Sequence, residues 1–368
     1  SVTGVQTCAL PIFMSPNAEQ ELWRYSRIGE LNLSSYRSGA LQTTVAGAAA
    51  THKSLIAHGN VSAEAADVFE QLNDENATVS HIATKRGEVI GTPIVVDHRL
   101  QEAGVVCSSL LEIDAAENSE LTVIERFTSG DDVRSLIIPA VRIRAAQSAR
   151  VTYVHINELG RATWSIGYQR ASGDRDANIS TSTVALGGDY ARVRAGVRLV
   201  GTGASAKQVA LYFADGTQMH DFRTLQDHAA PRTRSDLLFK GAVRDTAKSV
   251  YTGLIKIRDN ADKAEAFQTN RNLTLSSGAW AESVPNLEIE TNDVKCSHAS
   301  TVGPIDDDQR FYLESRGIRP EVAERLVVFG FFADVIDRLP AAAQPDVLRE
   351  KVGIKLGATQ QMAAGSRS

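Results

Sequence analysis

The sequence has few cysteines, no long apolar run and no concentration of charge of one sign. Its three cysteines are Cys8, Cys107 and Cys296, so a disulfide framework is not expected and a reducing, cytoplasmic location is favoured. No stretch of about 18 apolar residues occurs, which argues against a membrane-spanning helix. The net charge is −5 and Lys and Arg are scattered, so neither nucleic acid nor an anionic membrane is an expected partner.

Motifs of common enzyme classes are also missing. The glycine-rich GTGASA segment at 201–206 lacks the Gly-Lys-Ser/Thr of a nucleotide-binding loop, and no helical pattern follows it. No serine-hydrolase elbow, zinc-protease helix motif or CxxC pair occurs. We therefore expect no ATPase activity from this chain.

The first thirteen residues are not expected to belong to the fold. VTGVQTCALPI, at 2–12, reverse-translates codon by codon to a widely used sequencing adapter. It also resembles a weak signal peptide, but it has no charged leading region and Pro11 interrupts its apolar run. We interpret residues 1–13 as an assembly artefact.

Residues 14–78 are predicted to form an N-terminal helical region. LQTTVAGAAATHKSLIAHG, at 41–59, is rich in alanine and ends at a glycine. In the following segment Ser62 is a candidate N-cap, with Ala66, Val68 and Phe69 on an apolar side.

Residues 79–305 are predicted to form a β core. Apolar and polar residues alternate in short runs that are separated by turns rich in Gly, Asp, Asn and Ser. In Ala191–Leu199 the apolar residues share one face, and Arg192, Arg194 and Arg198 share the other. Similar small-residue phrases recur and favour a β-solenoid, but no strict repeat is visible and a sandwich stays open.

Residues 306–356 are predicted to be helical, and 357–368 are predicted to be a disordered tail. Asp306 is a candidate N-cap, although the acidic run at 306–308 could instead hold a hard cation. A second helix begins near Pro320 and a third follows Pro345. The second helix carries an apolar stripe at spacings of 4, 3, 4 and 3: Val322, Leu326, Phe329, Ala333 and Ile336.

Two groups of residues could bind a metal. Cys296 and His298 lie two apart in a strand-like segment, so their side chains project to the same side. Two ligands are half of a tetrahedral site, so the alternatives are a buried Cys beside a structural His, or a site that another chain completes. The second group is His220, Asp221, Asp227 and His228, which form either a metal or acid–base site or a polar turn.

The segment from Gln268 to Ile318 resembles the signature region of the SufB/SufD family. QTNRNLTLS, PNLEIE and NDVKCSHASTVG are similar to its conserved phrases, and upstream LGGDY and HAAPRTRSDLLFKG are similar to others. ELWRYSRI and the Cys-Ser-His form resemble the SufD branch more than the SufB branch. Matching phrases extend from Glu21 to Leu339.

The resemblance implies a right-handed parallel β-helix with helical regions at both ends. It implies a SufB-like partner joined through the β-helices, and SufC-like ATPase subunits bound by the C-terminal helices. We predict that the stripe of the second helix is the docking face; the alternative is that it packs against the end of the chain's own β-helix. His298, and with it Cys296, would lie at the junction with SufB, where a transient iron–sulfur cluster is assembled. It also implies a reduced flavin in the complex, although no flavin motif is visible. A SufB-like subunit and a polysaccharide-active β-helix enzyme are the alternatives.

Overall fold

The computed structural model describes residues 20–47, 52–55 and 67–357. Its centre is a parallel β-solenoid of about eight turns, which confirms the predicted fold class and excludes the sandwich. The predicted artefact at 1–13, the candidate cap Ser62 and the tail from 358 onward lie outside the described residues.

The chain alternates between two sheets, so that each strand of the solenoid pairs in parallel with the strand two places later. The strands in chain order are β1 (Arg37–Ser38), β2 (Gln42–Ala46), β3 (His52–Leu55), β4 (Thr78–Ala83), β5 (Ile94–Leu100), β6 (Val105–Ala115), β7 (Glu120–Ser129), β8 (Leu136–Ala145), β9 (Arg150–Glu158), β10 (Trp164–Gly173), β11 (Asn178–Ala185), β12 (Tyr190–Leu199), β13 (Ser205–Ala214), β14 (Met219–His228), β15 (Arg234–Val243), β16 (Lys248–Ile257), β17 (Glu265–Thr274), β18 (Trp280–Ile289) and β19 (Lys295–Gly303). The first sheet runs β18-β16-β14-β12-β10-β8-β6-β4-β3, with β1 beside β6, and the second runs β19-β17-β15-β13-β11-β9-β7-β5-β2.

The apolar residues of the alternating pattern face the interior of the solenoid. Stacking of successive coils in register places like residues in rows, and these rows form a continuous core. The predicted face of Ala191–Leu199 is confirmed, because Val193, Val197 and Leu199 are buried in the interior while Arg198 is exposed. The period of two therefore sets which residues fill the solenoid and which project outward.

The N-terminal region differs from the helical prediction. β2 and β3 fall within the segment predicted as a helix, and they pair antiparallel with β5 and β4 at the start of the solenoid. Thr43, Thr44 and Val45 are β-branched, and the first coil offers free strand edges, so sheet pairing outweighs the helix propensity of the alanines. The helix α1 spans Val68–Asn76, and Asp67 caps it by accepting from the backbone amides of Phe69 and Glu70.

The N-terminal segment covers the outer face of the first sheet. Trp23 lies in a 3₁₀ turn and is 1% exposed. The guanidinium of Arg192 lies 4.0 Å from the centre of the Trp23 ring, and Nη2 of Arg192 donates to the backbone oxygen of Leu22. Nη1 of Arg192 also donates to Asp221 at 2.9 Å, inside the protein. Trp23, the first residue of the Trp-Arg-Tyr phrase, thus helps to hold the N-terminal segment on the solenoid.

Helices cover the outer face of the second sheet. They are α2 (Asp307–Ser315), α3 (Pro320–Ile336) and α4 (Pro345–Lys355). Asp306 caps α2 by accepting from the amides of Asp308 and Gln309, which confirms the cap and accounts for the first residue of the acidic run. Lys240, which is 5% exposed, donates from the solenoid to the backbone oxygen of Phe331 and to Asp334 on α3. None of the described helices is long and apolar enough to cross a membrane.

The face that α3 buries is not the predicted stripe. Its fully buried apolar residues, apart from Ile336, are Ala323, Val328, Phe332 and Val335, and α3 packs on outward side chains of the second sheet. Ile336 is 1% exposed and belongs to this core, so the prediction that it contacts a partner is corrected. Leu326 and Ala333 are exposed, and Val322 and Phe329 are half-buried.

Candidate functional site

The two ends of the solenoid differ. At the first coil, β2 and β3 add antiparallel strands beside β5 and β4. At the other end, β18 and β19 are the last strands of their sheets, and within the described residues no strand pairs with their outer edges. We call this surface, formed by β18, β19 and their inward side chains, the open end. Unpaired strand edges present backbone donors and acceptors that can take up a further strand.

Side chains that would be core in any earlier coil are exposed at the open end. Ile255 and Ile257 on β16 face the interior and are fully buried, whereas their partners one coil later, Leu287 and Ile289, are 39% and 43% exposed. Val302 on β19 is 42% exposed. Because no further coil packs on this end within the described residues, the inward apolar side chains of the last coil are exposed to solvent. Exposed apolar surface of this kind is typical of an interaction surface.

Cys296 and His298 both belong to this last layer. The register of β17 and β19 places Cys296 beside Ala266 and His298 beside Gln268, and both of these β17 residues are buried. The two predicted ligands therefore share the inward face of β19, as expected from their spacing. His298 is exposed, while Cys296 is half-buried and packs on the apolar cluster that includes Ala266.

The QTNRN motif forms a polar floor beneath the open end. Asn270 and Asn272 face inward on β17, and their side chains hydrogen-bond to each other at 2.7 Å. The hydroxyl of Tyr212 donates to Oδ1 of Asn272 at 2.6 Å. Ser283 donates to Oδ1 of Asn270 at 2.8 Å, and Ser300 on β19 donates to Ser283 at 2.6 Å. This network joins the two sheets and fixes the position of β19.

The chemistry of Cys296 and His298 suits a soft metal or a sulfur-bound iron. Neutral imidazole and thiolate are both ligands of iron and zinc. Burial raises the pKa of the Cys296 thiol, so that thiol is protonated at neutral pH and must lose its proton to bind a metal. Within the residues described, no group of three or more His, Cys, Asp or Glu side chains is placed to hold a metal ion. Cys296 and His298 are therefore candidate ligands, and together they would supply half of a tetrahedral site.

The other predicted metal candidates are not brought together. All four lie on β14, where His220 and His228 face the interior near opposite ends of the strand, and Asp221 and Asp227 face outward. Burial lowers the pKa of His220 to about 3 and that of His228 to about 4, so both imidazoles are neutral. Asp221 and Asp227 pair with arginines. The structure therefore favours structural roles over a metal or acid–base site.

A groove of about 1170 Å³ lies between the C-terminal helices and the last strands. Leu326 on α3, Tyr312 on α2 and Val302 on β19 line it. Leu326 is 47% exposed and Tyr312 is 58% exposed. The sequence pattern identified Leu326 as a candidate partner-binding residue, but it gave no such signal for Tyr312. Tyr312 lines the groove because α2 packs beside α3.

Taken together, these features define an open-ended β-solenoid with helices along one face and two candidate metal ligands, Cys296 and His298, at its open end. The SUF system FeS cluster assembly, SufBD core domain family matches residues 98–331. The chain belongs to this SufB/SufD family, whose proteins take part in iron–sulfur cluster assembly.

Relatives in three bacteria are similar to most of the chain. The iron-sulfur cluster assembly SufBD family protein of Mycobacterium tuberculosis (strain H37Rv) is 34% identical over 92% of this chain and 88% of its own length. The iron-sulfur cluster assembly protein SufD of Escherichia coli is 31% identical over 82% of this chain and 71% of its own length. SufD of Bacillus subtilis is 31% identical over 62% of this chain and 53% of its own length.

Proposed function

We propose that this protein is a SufD-like, non-catalytic scaffold subunit that builds iron–sulfur clusters together with a SufB-like subunit and a SufC-like ATPase. The observation that carries the proposal is the open end, where exposed core side chains, free strand edges and two candidate metal ligands lie together. The cluster is the cargo of the complex. Its expected location is the cytoplasm, in line with the scarcity of cysteine.

A SufB-like solenoid is the partner that fits the open end. A second solenoid whose last coil is also open would bury Leu287, Ile289 and Val302 and would offer its own strand edges to β18 and β19. It would also bring ligands up to His298 and Cys296, which completes the site. His298 is the better ligand candidate, because its imidazole is exposed while the Cys296 thiol is half-buried and protonated.

The pairing proposal predicts that Leu287→Arg weakens association with the SufB-like subunit. Truncation of a central apolar residue at an interface costs about 2 kcal/mol or more, which is roughly a 30-fold loss of affinity, and a buried arginine without a partner adds to this loss. The affinity of the purified subunits for each other is to be measured by titration calorimetry.

Val200→Arg is the matched control for Leu287→Arg. Val200 is 44% exposed and follows β12, away from the open end, so this variant should bind the partner as the wild type does. Leu287 is 39% exposed in the isolated chain, and its replacement should leave the melting temperature unchanged. Wild-type affinity in a folded Leu287→Arg variant would contradict pairing through the open end.

The groove between α2, α3 and the last strands is the surface that we assign to the ATPase. Leu326→Asp should reduce retention of the SufC-like subunit in a pull-down, because a charge replaces an exposed apolar side chain that lines the groove. Ile354→Asp on α4 is the control, since Ile354 is 51% exposed and does not line the groove. Phe329→Asp is less informative, because Phe329 packs on the chain's own core. Undiminished retention by folded Leu326→Asp would exclude this docking surface.

A further inference from the structure

A second cavity, of about 650 Å³, lies on the outer face of the first sheet. Two rows of outward side chains form its floor. One row runs Tyr168, Arg194, Arg223 and Thr252, and the other runs Arg170, Gly196, Leu225, Leu254 and Asn286. We call this cavity the arginine cleft. Its volume lies in the range of small-molecule sites. It adjoins the open end at Asn286 and Leu287 of β18 and is separate from the groove beside α3.

Two of the three arginines of the cleft are neutralised by the protein. Arg170 forms two hydrogen bonds to Glu70, at 2.5 and 2.7 Å. Arg223 donates to Asp221 at 2.8 Å and to the hydroxyl of Thr252 at 2.8 Å. Both side chains are therefore held in place by partners of the chain itself.

Arg194 differs from its neighbours. It is half-buried, and among the described residues no hydrogen bond or ion pair joins its guanidinium to another side chain. Burial lowers the pKa of Arg194, and the attraction of Asp67 and Glu70 does not offset that effect. A guanidinium has five N–H donors and stays charged at neutral pH, so its partial removal from water without a partner is unfavourable. An anion in the cleft would relieve this cost.

The shape and lining of the cleft favour a ligand that has an apolar part as well as an anionic group. Gly196 lies between Arg170 and Leu225 in its row and leaves a gap, since a Cβ built there would meet Leu225 only at 3.7 Å. Leu225 and Leu254 provide apolar floor, and Asn286 provides an amide beside it. We propose that the arginine cleft binds a small organic anion, whose phosphate or carboxylate group pairs with Arg194 while its apolar body fills the gap over Gly196.

The competing structural role for Arg194 is an ion pair within the chain. Oδ1 of Asp67 accepts from Tyr168 and from backbone amides, whereas Oδ2 of Asp67 has no hydrogen-bond partner among the described residues. A rotation of Arg194 toward Oδ2 would satisfy both groups without a ligand. The two roles differ in what the Arg194→Gln substitution does, because loss of an internal ion pair lowers stability even when no anion is present.

The test uses the full chain with adenosine monophosphate, citrate and inorganic phosphate as probes, at constant ionic strength. The wild type should show a rise in melting temperature with adenosine monophosphate or citrate, and the more effective of the two identifies the anionic group. Inorganic phosphate should be weaker, because it lacks an organic body. In Arg194→Gln the dissociation constant of the better probe should rise at least tenfold, about 1.4 kcal/mol, with the melting temperature without ligand unchanged.

Two further variants make the result specific. Arg198→Gln removes an exposed arginine of the same strand, which pairs with Asp227 at 3.4 Å, and should bind the probe normally. Gly196→Val fills the gap without a change of charge and should weaken binding. Absence of a response to all three probes in the wild type would overturn the proposal, and a destabilised Arg194→Gln variant would then assign Arg194 to an internal ion pair. Equal weakening of binding in Arg198→Gln would also overturn it.

Discussion

Arg192→Ala is expected to lower the free energy of unfolding by about 3 kcal/mol, because it breaks a buried ion pair. Asp221 is fully buried and keeps its bonds to Tyr190 and Arg223, which places the loss at the lower end of the usual range for such pairs. The substitution also removes the cation that lies over the Trp23 ring and the bond to the backbone of Leu22. Urea unfolding followed by tryptophan fluorescence measures the effect.

Arg198→Ala is the matched control on the same strand. Its side chain is 50% exposed and pairs with Asp227 at 3.4 Å, so the expected loss is within about 1 kcal/mol. In Arg192→Ala we also expect faster proteolysis of the N-terminal segment, since Trp23 loses one of its anchors. Equal losses in the two variants would show that the buried network does not hold the segment.

The comparison of these two arginines shows what the sequence could predict and what it could not. Alternation correctly assigned Arg192 and Arg198 to the outward face of β12. Outward, however, does not mean exposed. Arg192 is 1% exposed because a segment about 170 residues earlier in the chain folds over it, and no local pattern encodes that contact. Whether an outward polar residue of a strand is buried therefore depends on which segments, distant in sequence, pack over that face of the sheet.

The coil repeat was hidden in the sequence for a different reason. Turn residues with positive φ recur at equivalent places in successive coils, and each backbone amide bonds to the turn of the next coil. These residues are Asn118, Ser148, Asp176, Gly203, Arg232 and Lys263. Asn, Asp and Gly adopt this conformation readily, whereas Ser, Arg and Lys seldom do. The geometry of the turn is conserved along the solenoid although the residue type is not, so no strict repeat is visible.

The face of α3 could not be predicted because its apolar residues lie on almost every side. The sequence PEVAERLVVFGFFADVI supports a stripe through Leu326 and Ile336 as well as one through Val328 and Phe332. The outward side chains of the second sheet select the latter, which includes Phe332 and Val335. Apolar residues all around a helix indicate contacts on more than one side. This agrees with the exposed Leu326 and the groove that it lines.

The helix prediction for the alanine-rich N-terminal segment was wrong. Composition favoured a helix there, but β2 and β3 form because the first coil presents strand edges that need partners. Strand pairing of this kind depends on tertiary context more than on propensity. By contrast, the pair Cys296 and His298 was predictable from spacing, since a strand places residues two apart on one face. That this face is the uncovered interior of the last coil could be seen only in the structure.

His298→Ala is expected to lower the iron and sulfide bound per reconstituted complex to about half or less, because loss of a metal ligand weakens binding by an order of magnitude or more. The fold should be unaffected, since the His298 side chain is exposed in the isolated chain. The assembly with the SufB-like and SufC-like subunits should also persist, because we assign the pairing to the apolar side chains and strand edges of the open end. Cys296→Ser should have a similar or smaller effect, because burial keeps that thiol protonated. Iron and sulfide are to be counted on the purified complex after anaerobic reconstitution.

Two variants separate ligation from a structural hydrogen bond. Ser297→Ala alters the opposite face of β19 beside His298 and should leave the iron content unchanged. His298→Asn keeps a side chain that can donate and accept hydrogen bonds but is a poor ligand for iron. If the imidazole binds the cluster, His298→Asn should be as deficient as His298→Ala. Full iron content in either His298 variant would exclude ligation, and a complex that assembles with asparagine but not with alanine would assign the imidazole a hydrogen bond across the junction of the two solenoids.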